Sequence, residues 1–466
     1  MKQNRILIVL GCIFLAWQLH AQQAKEILSP ERLMEMVRRY HPIVKQAALL
    51  VNRASADVLS ARGGFDPVLE MDASRKTFDG KNYYYYTNPE LQIPTAAAFT
   101  IKTGIESNGG DYLSSEVTKG RSSYLGIELP LGNGLLIDKR RAALQQAFIL
   151  KNNSEQERRS IINNLLLDAY TDYWQWAGAY QLYKIYGGFV ENAENRFRLV
   201  KNGFIHGDRA AMDTLESFTQ VQQYQLFRSE AFLKLTNAAI VLGNYLWLTN
   251  DSAYLLPIYT IPDTTRFSTM NSLPVLEALI VQSMNDNPLI KSAAFKVASM
   301  ETDRRLKFQG LLPYLSVKAN VLNYDYQVFK GWESGYIQNN YKWGIGFNMP
   351  LFLRQGRGEY KKAQIKVKES QLELVGKKWQ TENKIRYYFN ENSQLLQQLQ
   401  LVNQMRTNYY TLLRNEELKF QQGESSLFLI NTRENKVLDL LQKQTELLVK
   451  YQTVNYKLNW AVGSLQ

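Results

Sequence analysis

The chain is written twice. Tyr40-His41-Pro42-Ile43-Val44-Lys45 returns as Asp286-Asn287-Pro288-Leu289-Ile290-Lys291, an offset of 246. At that offset Ala47-Ala48 meets Ala293-Ala294, Gly64 meets Gly310 and Pro67 meets Pro313. Leu125-Gly126-Ile127-Glu128-Leu129-Pro130-Leu131 matches Ile345-Gly346-Phe347-Asn348-Met349-Pro350-Leu351 at an offset of 220, so the first copy holds 246 − 220 = 26 extra residues between its two prolines. Gly207 matches Gly423 at an offset of 216. Ordered self-similarity of this kind restricts a chain to architectures built from repeated units.

Each copy follows one grammar. An amphipathic helix (about 30–62 and 273–309) precedes a Pro-bounded segment of period-2 alternation; a Pro-Leu then opens a very long helical stretch, a Gly-containing break interrupts it, and a second long helix ends the copy. Alternation is clear in Leu315, Val317, Ala319 and Val321 against Ser316, Lys318 and Asn320, and in Trp343, Ile345, Phe347 and Met349 against Lys342, Gly344, Gly346 and Asn348. The first copy shows it in Leu69, Met71 and Ala73 against Glu70, Asp72 and Ser74, and in Leu125, Ile127 and Leu129 against Tyr124, Gly126 and Glu128. One apolar and one polar face over about 10 residues is the signature of a membrane β-barrel strand. A half-buried sheet in a soluble protein alternates equally well. The extra residues, with Tyr83–Tyr86 and an alternating Phe99–Ile105, form a longer surface loop or an added hairpin.

The helical stretches carry heptads. Ile162, Leu166, Ala169, Tyr173, Trp176, Tyr180 and Tyr183 step by four and three; Tyr388, Leu395, Leu399, Val402, Tyr409, Leu413 and Phe420 keep the same period with gaps, as do Ile430, Val437, Leu441, Leu448, Tyr451 and Leu458. A sustained 3.5 period means coiled-coil packing. The stretch from about 135 to 202 would run roughly 100 Å as one helix, with Gly187-Gly188 softening its middle. Four strands cannot close a barrel in lipid without leaving edges unpaired, so the pattern calls for an oligomer that shares both barrel and coiled coil.

At the N-terminus Lys2 and Arg5 precede an apolar run, Ile6–Trp17, and Leu19-His20-Ala21 ends in a small residue. This is the order of a secretory signal peptide, cut after Ala21; the run is short for a membrane-anchoring helix. Cys12 is the sole cysteine, and the apolar stretch before it is too short and runs on past it for a lipoprotein signal. No later stretch reaches 18 apolar residues, which leaves a closed β-barrel as the way into a membrane. The formal charge is +12, or +10 once Lys2 and Arg5 are removed (12 − 2). Export speaks against nucleic acid as partner, and the charges interleave, as in Glu155-Gln156-Glu157-Arg158-Arg159, like a solvated helix surface.

No catalytic set emerges. Gly132-Asn133-Gly134 and Gly356-Arg357-Gly358 lack the context of a phosphate loop and read as strand-to-helix corners. His41 and His206, the histidines left after signal removal, read as surface residues without metal-ligand spacing, and there is no Gly-x-Ser-x-Gly elbow. The residues therefore point to no metal, cofactor or enzymatic reaction. A soluble periplasmic or cell-surface coiled-coil protein is the main alternative, but it has no need of the strands or the duplication.

Taken together, the pattern resembles the outer membrane efflux protein family, of which TolC is the best-known member. Its carriers are Asn287-Pro288-Leu289-Ile290 with Gly310-Leu311-Leu312-Pro313-Tyr314-Leu315-Ser316, then Gly346–Leu351, then Gly423-Glu424-Ser425-Ser426-Leu427. The resemblance covers nearly the whole chain after the signal. It implies a mixed α and β fold: a transmembrane β-barrel continued by a long periplasmic α-helical barrel, two structural repeats per chain, shared across a homotrimer with four strands per chain. The chain would divide into the signal peptide (1–21), a first repeat (22–243), an equatorial linker (244–272, with Pro257 and Pro262) and a second repeat (273–466). The resemblance further implies a passive duct in outer-membrane lipid with a long periplasmic extension, fed by an inner-membrane transporter through a periplasmic adaptor protein. Gly207, Asp208, Gly423, Glu424, Ser425 and Ser426 would form the tips that meet the adaptor. Asp213, six residues after Gly207, and Glu216 would be gate acids, and Phe420 stands where the family has a gate tyrosine. The second copy holds Leu429 and Thr432 at the matching places, so a double acidic ring is not matched. Acids near a helix N-terminus also have a simpler use, stabilising the helix dipole.

Overall fold

The computed structural model describes residues 26–257, 259–270, 272–326 and 340–465. The signal peptide and Cys12 lie outside them. The chain divides into two compact units, one of residues up to Ala48 with Arg158–Pro288 and Trp379 onward, the other of Leu49–Glu157 with Leu289–Lys378.

The elements recur at fixed spacing. Helices α1 (Pro30–Tyr40) and α2 (Pro42–Arg62) begin 246 residues before α5 (Leu276–Asp286) and α6 (Pro288–Gln309). The long helices α3 (Lys139–Ile205) and α4 (Ala211–Gly243) end or begin 216 residues before the same points of α7 (Arg354–Gln421) and α8 (Leu427–Val462).

The single helices expected over 30–62 and 273–309 are each two. Their breaks fall at His41 and Asn287, whose ψ angles are 132° and 123°. The ring of a following proline clashes with a helical conformation at the residue before it, and Pro42 and Pro288 impose that clash. The two break residues are also buried, which corrects the surface reading of His41. His41 Nδ1 accepts the Ile43 N–H at 3.2 Å, and Asn287 donates to the Ala461 carbonyl at 2.8 Å. Burial holds the His41 imidazole below its ordinary pKa, against a smaller upward pull from its hydrogen bond to the Asn244 backbone.

The first unit is built on the heptads, whose positions are all buried or half-buried. Leu166, Tyr173 and Trp176 of α3 meet Leu399 of α7 and Leu448 and Tyr451 of α8 in one core. Gly187-Gly188 do not interrupt α3; both face open space, and packing of the flanking Tyr186, Phe189 and Val190 in one cluster outweighs the roughly 1 kcal/mol that each glycine costs a helix. The segment expected as a linker, 244–272, is tied to this core. Strand β6 (Ile261–Pro262) pairs in parallel with β1 (Ile27–Leu28), the Tyr173 hydroxyl donates to the Leu28 carbonyl at 2.9 Å and accepts the Asp263 N–H at 3.1 Å, and Phe267 is buried beside Trp174.

The second unit holds one antiparallel sheet of six strands in the order β2 (Val68–Phe78), β3 (Lys81–Pro94), β4 (Thr100–Gly109), β5 (Gly120–Pro130), β7 (Tyr314–Tyr324), β8 (Tyr341–Asn348). The expectation of four strands per chain is thereby corrected. The extra residues of the first copy are the hairpin β3–β4, inserted between β2 and β5 rather than looped away. Its alternation is masked in sequence by the tyrosine run and by Pro89, around which the β3–β4 ladder skips two residue pairs, as a residue without an N–H requires. Helix α3 starts at Asp138, whose Oδ1 accepts the Arg141 N–H at 2.8 Å. Burial alone would raise the Asp138 pKa; that bond and the Arg141 guanidinium bring it below the usual value. Of the run Glu155–Arg159, Glu157 alone is fully exposed, and the rest are half-buried rather than a free solvated face.

Candidate functional site

The sheet presents two chemically opposite faces. One row of partners crosses all six strands as Leu69, Leu91, Thr103, Leu125, Val321 and Tyr341, and the next runs Ile93, Ile101, Ile127, Ala319 and Trp343. Apart from Thr103 the rows are apolar, and they are most open toward the sheet edges: Leu69 is 74% exposed and Trp343 66%, while Leu91, Ile93 and Ile101 are half-buried. An exposed apolar patch of this extent marks a surface meant for another apolar phase, and strands of 8 to 14 residues suit the hydrocarbon thickness. Phe78, Tyr83, Tyr112, Tyr324 and Tyr341 cluster toward the hairpin end, where aromatics with polar tips favour an interface.

The opposite face carries a charged belt near the strand ends that join the helices. Gln92 donates to Glu70 at 3.0 Å and to Glu90 at 2.7 Å. Lys102 pairs with Glu128 at 3.0 Å and Glu90 at 3.6 Å, and Glu128 also pairs with Lys318 at 3.5 Å. The Tyr124 hydroxyl crosses over Gly104 to donate to Glu90. Sequence reasoning missed this belt, although the parity of β5 and β7 had already placed Glu128 and Lys318 on the polar face.

In the first unit the two helical hairpins end in equivalent turns. Gly207 has φ +83° and Gly423 φ +79°, the left-handed region that glycine tolerates. Asp208 N–H reaches the Gly203 carbonyl at 2.8 Å, and Glu424 N–H reaches Lys419 at 2.9 Å, the six-to-one bond that closes a helix C-terminus. Ser426 caps α8 by accepting the Leu429 N–H, whereas α4 has Ala210 at that place and no side-chain cap. Ser425 donates to Glu416.

Of the gate candidates, Asp213 and Glu216 lie at the start of α4 and Phe420 at the end of α7. Asp213 lies half-buried in the first turn of α4. Glu216 faces α8, where its Oε1 accepts from Asn431 at 3.0 Å. Phe420 packs with Leu413, Ile430 and Val437, and the Arg209 guanidinium stands 4.2 Å over its ring. Between α3, α4 and α8 lies a polar knot that the sequence did not announce: Arg196 pairs with Glu434, to which the Tyr224 hydroxyl also donates.

Among the described residues, no helix is long and apolar enough to cross a membrane and no cluster of His, Cys, Asp or Glu is arranged to hold a metal ion.

No curated protein matches the sequence. Solved structures share the fold. The Campylobacter jejuni CmeC outer membrane channel aligns at 14% identity over 93% of this chain and 85% of that one, with a TM-score of 0.63. The open state of the Neisseria gonorrhoeae MtrE outer membrane channel aligns at 12% identity over 94% and 89%, TM-score 0.66. The Vibrio cholerae outer membrane protein VceC aligns at 13% over 93% and 96%, TM-score 0.62. The sequence profile described as outer membrane efflux protein matches residues 33–246 and 279–463, one stretch in each copy. That match spans most of the sequence, so the chain belongs to the outer membrane efflux protein family, the outer-membrane channel components of tripartite efflux systems.

Proposed function

We propose that three copies of this chain assemble into a passive export duct, each contributing two structural repeats (22–243 and 273–466) joined by the segment 244–272. The sheets would close together as a barrel in outer-membrane lipid. The helices α3, α4, α7 and α8 would form the periplasmic tube. The turns at Gly207 and Gly423, with Asp208, Glu424, Ser425 and Ser426, would meet a periplasmic adaptor protein, which delivers cargo from an inner-membrane transporter. Asp213 and Glu216 would bias passage through the tip, with Phe420 supporting it from within the helix packing.

The observation that carries this reading is the six-stranded sheet with one largely apolar, exposed face and, among the described residues, an unpaired edge on each side. Lipid accepts the face and refuses the edges, so the sheet calls for further strands. The test is detergent extraction of the mature chain from outer-membrane fractions, followed by mass measurement of the particle and single-channel recording. A trimer that conducts in bilayers is expected. Recovery as a soluble monomer, without detergent and without conductance, would overturn the reading.

A further inference from the structure

We propose that the barrel wall closes with six strands per chain, β8 of one copy pairing antiparallel with β2 of the next, so that three chains of six strands give eighteen where the four-stranded pattern gives twelve. The inference rests on the trimeric duct proposed above and concerns how its wall is made.

Hairpin β3–β4 is part of the wall by four separate observations. Among the described residues, strand β2 pairs with β3 alone, along its whole length from Val68 to Phe78; a four-stranded wall would require it to leave that ladder. The faces also agree in parity. Leu91 and Ile93 of β3 and Ile101 of β4 continue the apolar rows of β5, β7 and β8, with Thr103 as the one polar partner between Leu91 and Leu125. On the polar side, side chains stitch the hairpin to its neighbours. Lys102 on β4 ties Glu90 on β3 to Glu128 on β5, and Tyr124 on β5 lies across Gly104 on β4 to reach Glu90 on β3. An added Cβ at Gly104 would sit 2.7 Å from that hydroxyl, so the glycine leaves room for the crossing. Finally, β3 and β4 are 14 and 10 residues long, as long as the strands beside them.

The occupant of the two edges follows from the count. Six antiparallel strands put β2 and β8 in opposite directions, so a rotated second copy offers β2 to β8 with the antiparallel sense kept all round. That contact is head-to-tail, the kind that closes into a ring. Both edges carry uncovered apolar residues on the same face, Leu69 and Met71 on β2 and Trp343, Ile345 and Phe347 on β8, so the lipid-facing surface would pass from copy to copy. Barrel diameter grows roughly in proportion to strand number, which makes this wall about 1.5 times as wide as one of twelve strands. The Glu70–Gln92–Glu90–Lys102–Glu128–Lys318 belt would line its helix-side mouth.

The test is an image reconstruction of the trimer in a lipid nanodisc at a resolution that separates strands. It is paired with single cysteines, Leu91→Cys and Gln92→Cys, in the mature chain, which has no other cysteine once the signal peptide is removed. Eighteen strands are expected, with Gln92→Cys modified by a membrane-impermeant maleimide at least about tenfold faster than Leu91→Cys, because neighbours on a wall strand face lumen and lipid in turn. A trimer of twelve strands with residues 81–109 outside the wall, or equal reactivity at the two positions, would overturn the inference and leave the trimeric duct standing. A particle with no barrel would overturn both.

Discussion

Arg196 on α3 grips Glu434 on α8 through two hydrogen bonds of 2.7 and 2.9 Å, with the Glu434 side chain only 3% exposed. Burial would pull the guanidinium's pKa down, yet Glu434 more than reverses this and lifts it above its ordinary value. The fork geometry of arginine matches a carboxylate on both oxygens, and Tyr224 of α4 donates to the same group at 3.2 Å. Three helices thus converge on one buried charge. Breaking such a pair from one side leaves an uncompensated ion and costs about 3–5 kcal/mol. Glu434→Ala should lower the thermal midpoint clearly, and Arg196→Met with Glu434→Leu should recover much of the loss. A midpoint unmoved by Glu434→Ala would mean that water reaches the knot and that it does not hold the helices together.

His41 supplies a pH dependence. Its pKa is held below the unfolded value of 6.5, chiefly by burial, against Tyr245 and Trp247. The folded chain therefore binds fewer protons than the unfolded one as pH falls through 6.5. Stability is undiminished above that value and is lost progressively below it, down to the folded pKa. The thermal midpoint should drop between about pH 7.5 and about pH 5.5, and His41→Asn should flatten this slope. Asparagine is the test residue because Asn287 occupies the equivalent break, with ψ 123° against 132°. An equal slope in the variant would assign the acid sensitivity to other groups.

The tip turns give a local prediction. Gly207 and Gly423 adopt φ angles of +83° and +79°, where a Cβ costs roughly 1–2 kcal/mol. Gly423→Ala should weaken the bond from Glu424 N–H to the Lys419 carbonyl and speed amide exchange over 424–430 by about tenfold. Gly207→Ala should do the same around Asp208. Cores far from the turns should keep their protection. Unchanged exchange at Glu424 would show that the turn relaxes at no cost and that glycine serves another purpose there.

Much of this architecture was legible in the sequence because it rests on local rules. The heptads foretold which faces of α3, α7 and α8 are buried, and period-2 runs foretold the faces of β2, β5, β7 and β8. The helix breaks at His41 and Asn287 were also open to reading, since each precedes a proline; the amphipathic pattern running through both breaks hid them. Strand β3 resisted for a different reason. Tyr83, Tyr84, Tyr85 and Tyr86 are amphipathic and suit either face, so parity carries no signal there, and Pro89 speaks against a strand. The Arg196–Glu434 pair and the Tyr124–Glu90 contact join residues 238 and 34 positions apart. No periodicity encodes such partners; only the packed helices and the paired strands bring them together. The same holds for Glu216, a gate acid by the family resemblance, whose hydrogen bond to Asn431 joins α4 to α8.

Asp213 remains the tip acid whose charge has most to say. It stands in the first turn of α4, whose N-terminus has Ala210 where a capping side chain would sit. A carboxylate there stabilises the helix dipole by about 0.3–1 kcal/mol at an exposed site. That role and a role in ion passage make different demands. Asp213→Asn removes the charge but keeps an oxygen that accepts hydrogen bonds, so the helix should lose no more than the dipole contribution. If the carboxylate faces the path of ions, the same change should lower the preference for cations, read as a shift of reversal potential in a salt gradient across a bilayer. Glu216→Gln, with its partner Asn431 at 3.0 Å, should shift the potential less. A changed potential with an unmoved thermal midpoint would place Asp213 at the constriction. A lowered midpoint with an unchanged potential would confine it to starting α4.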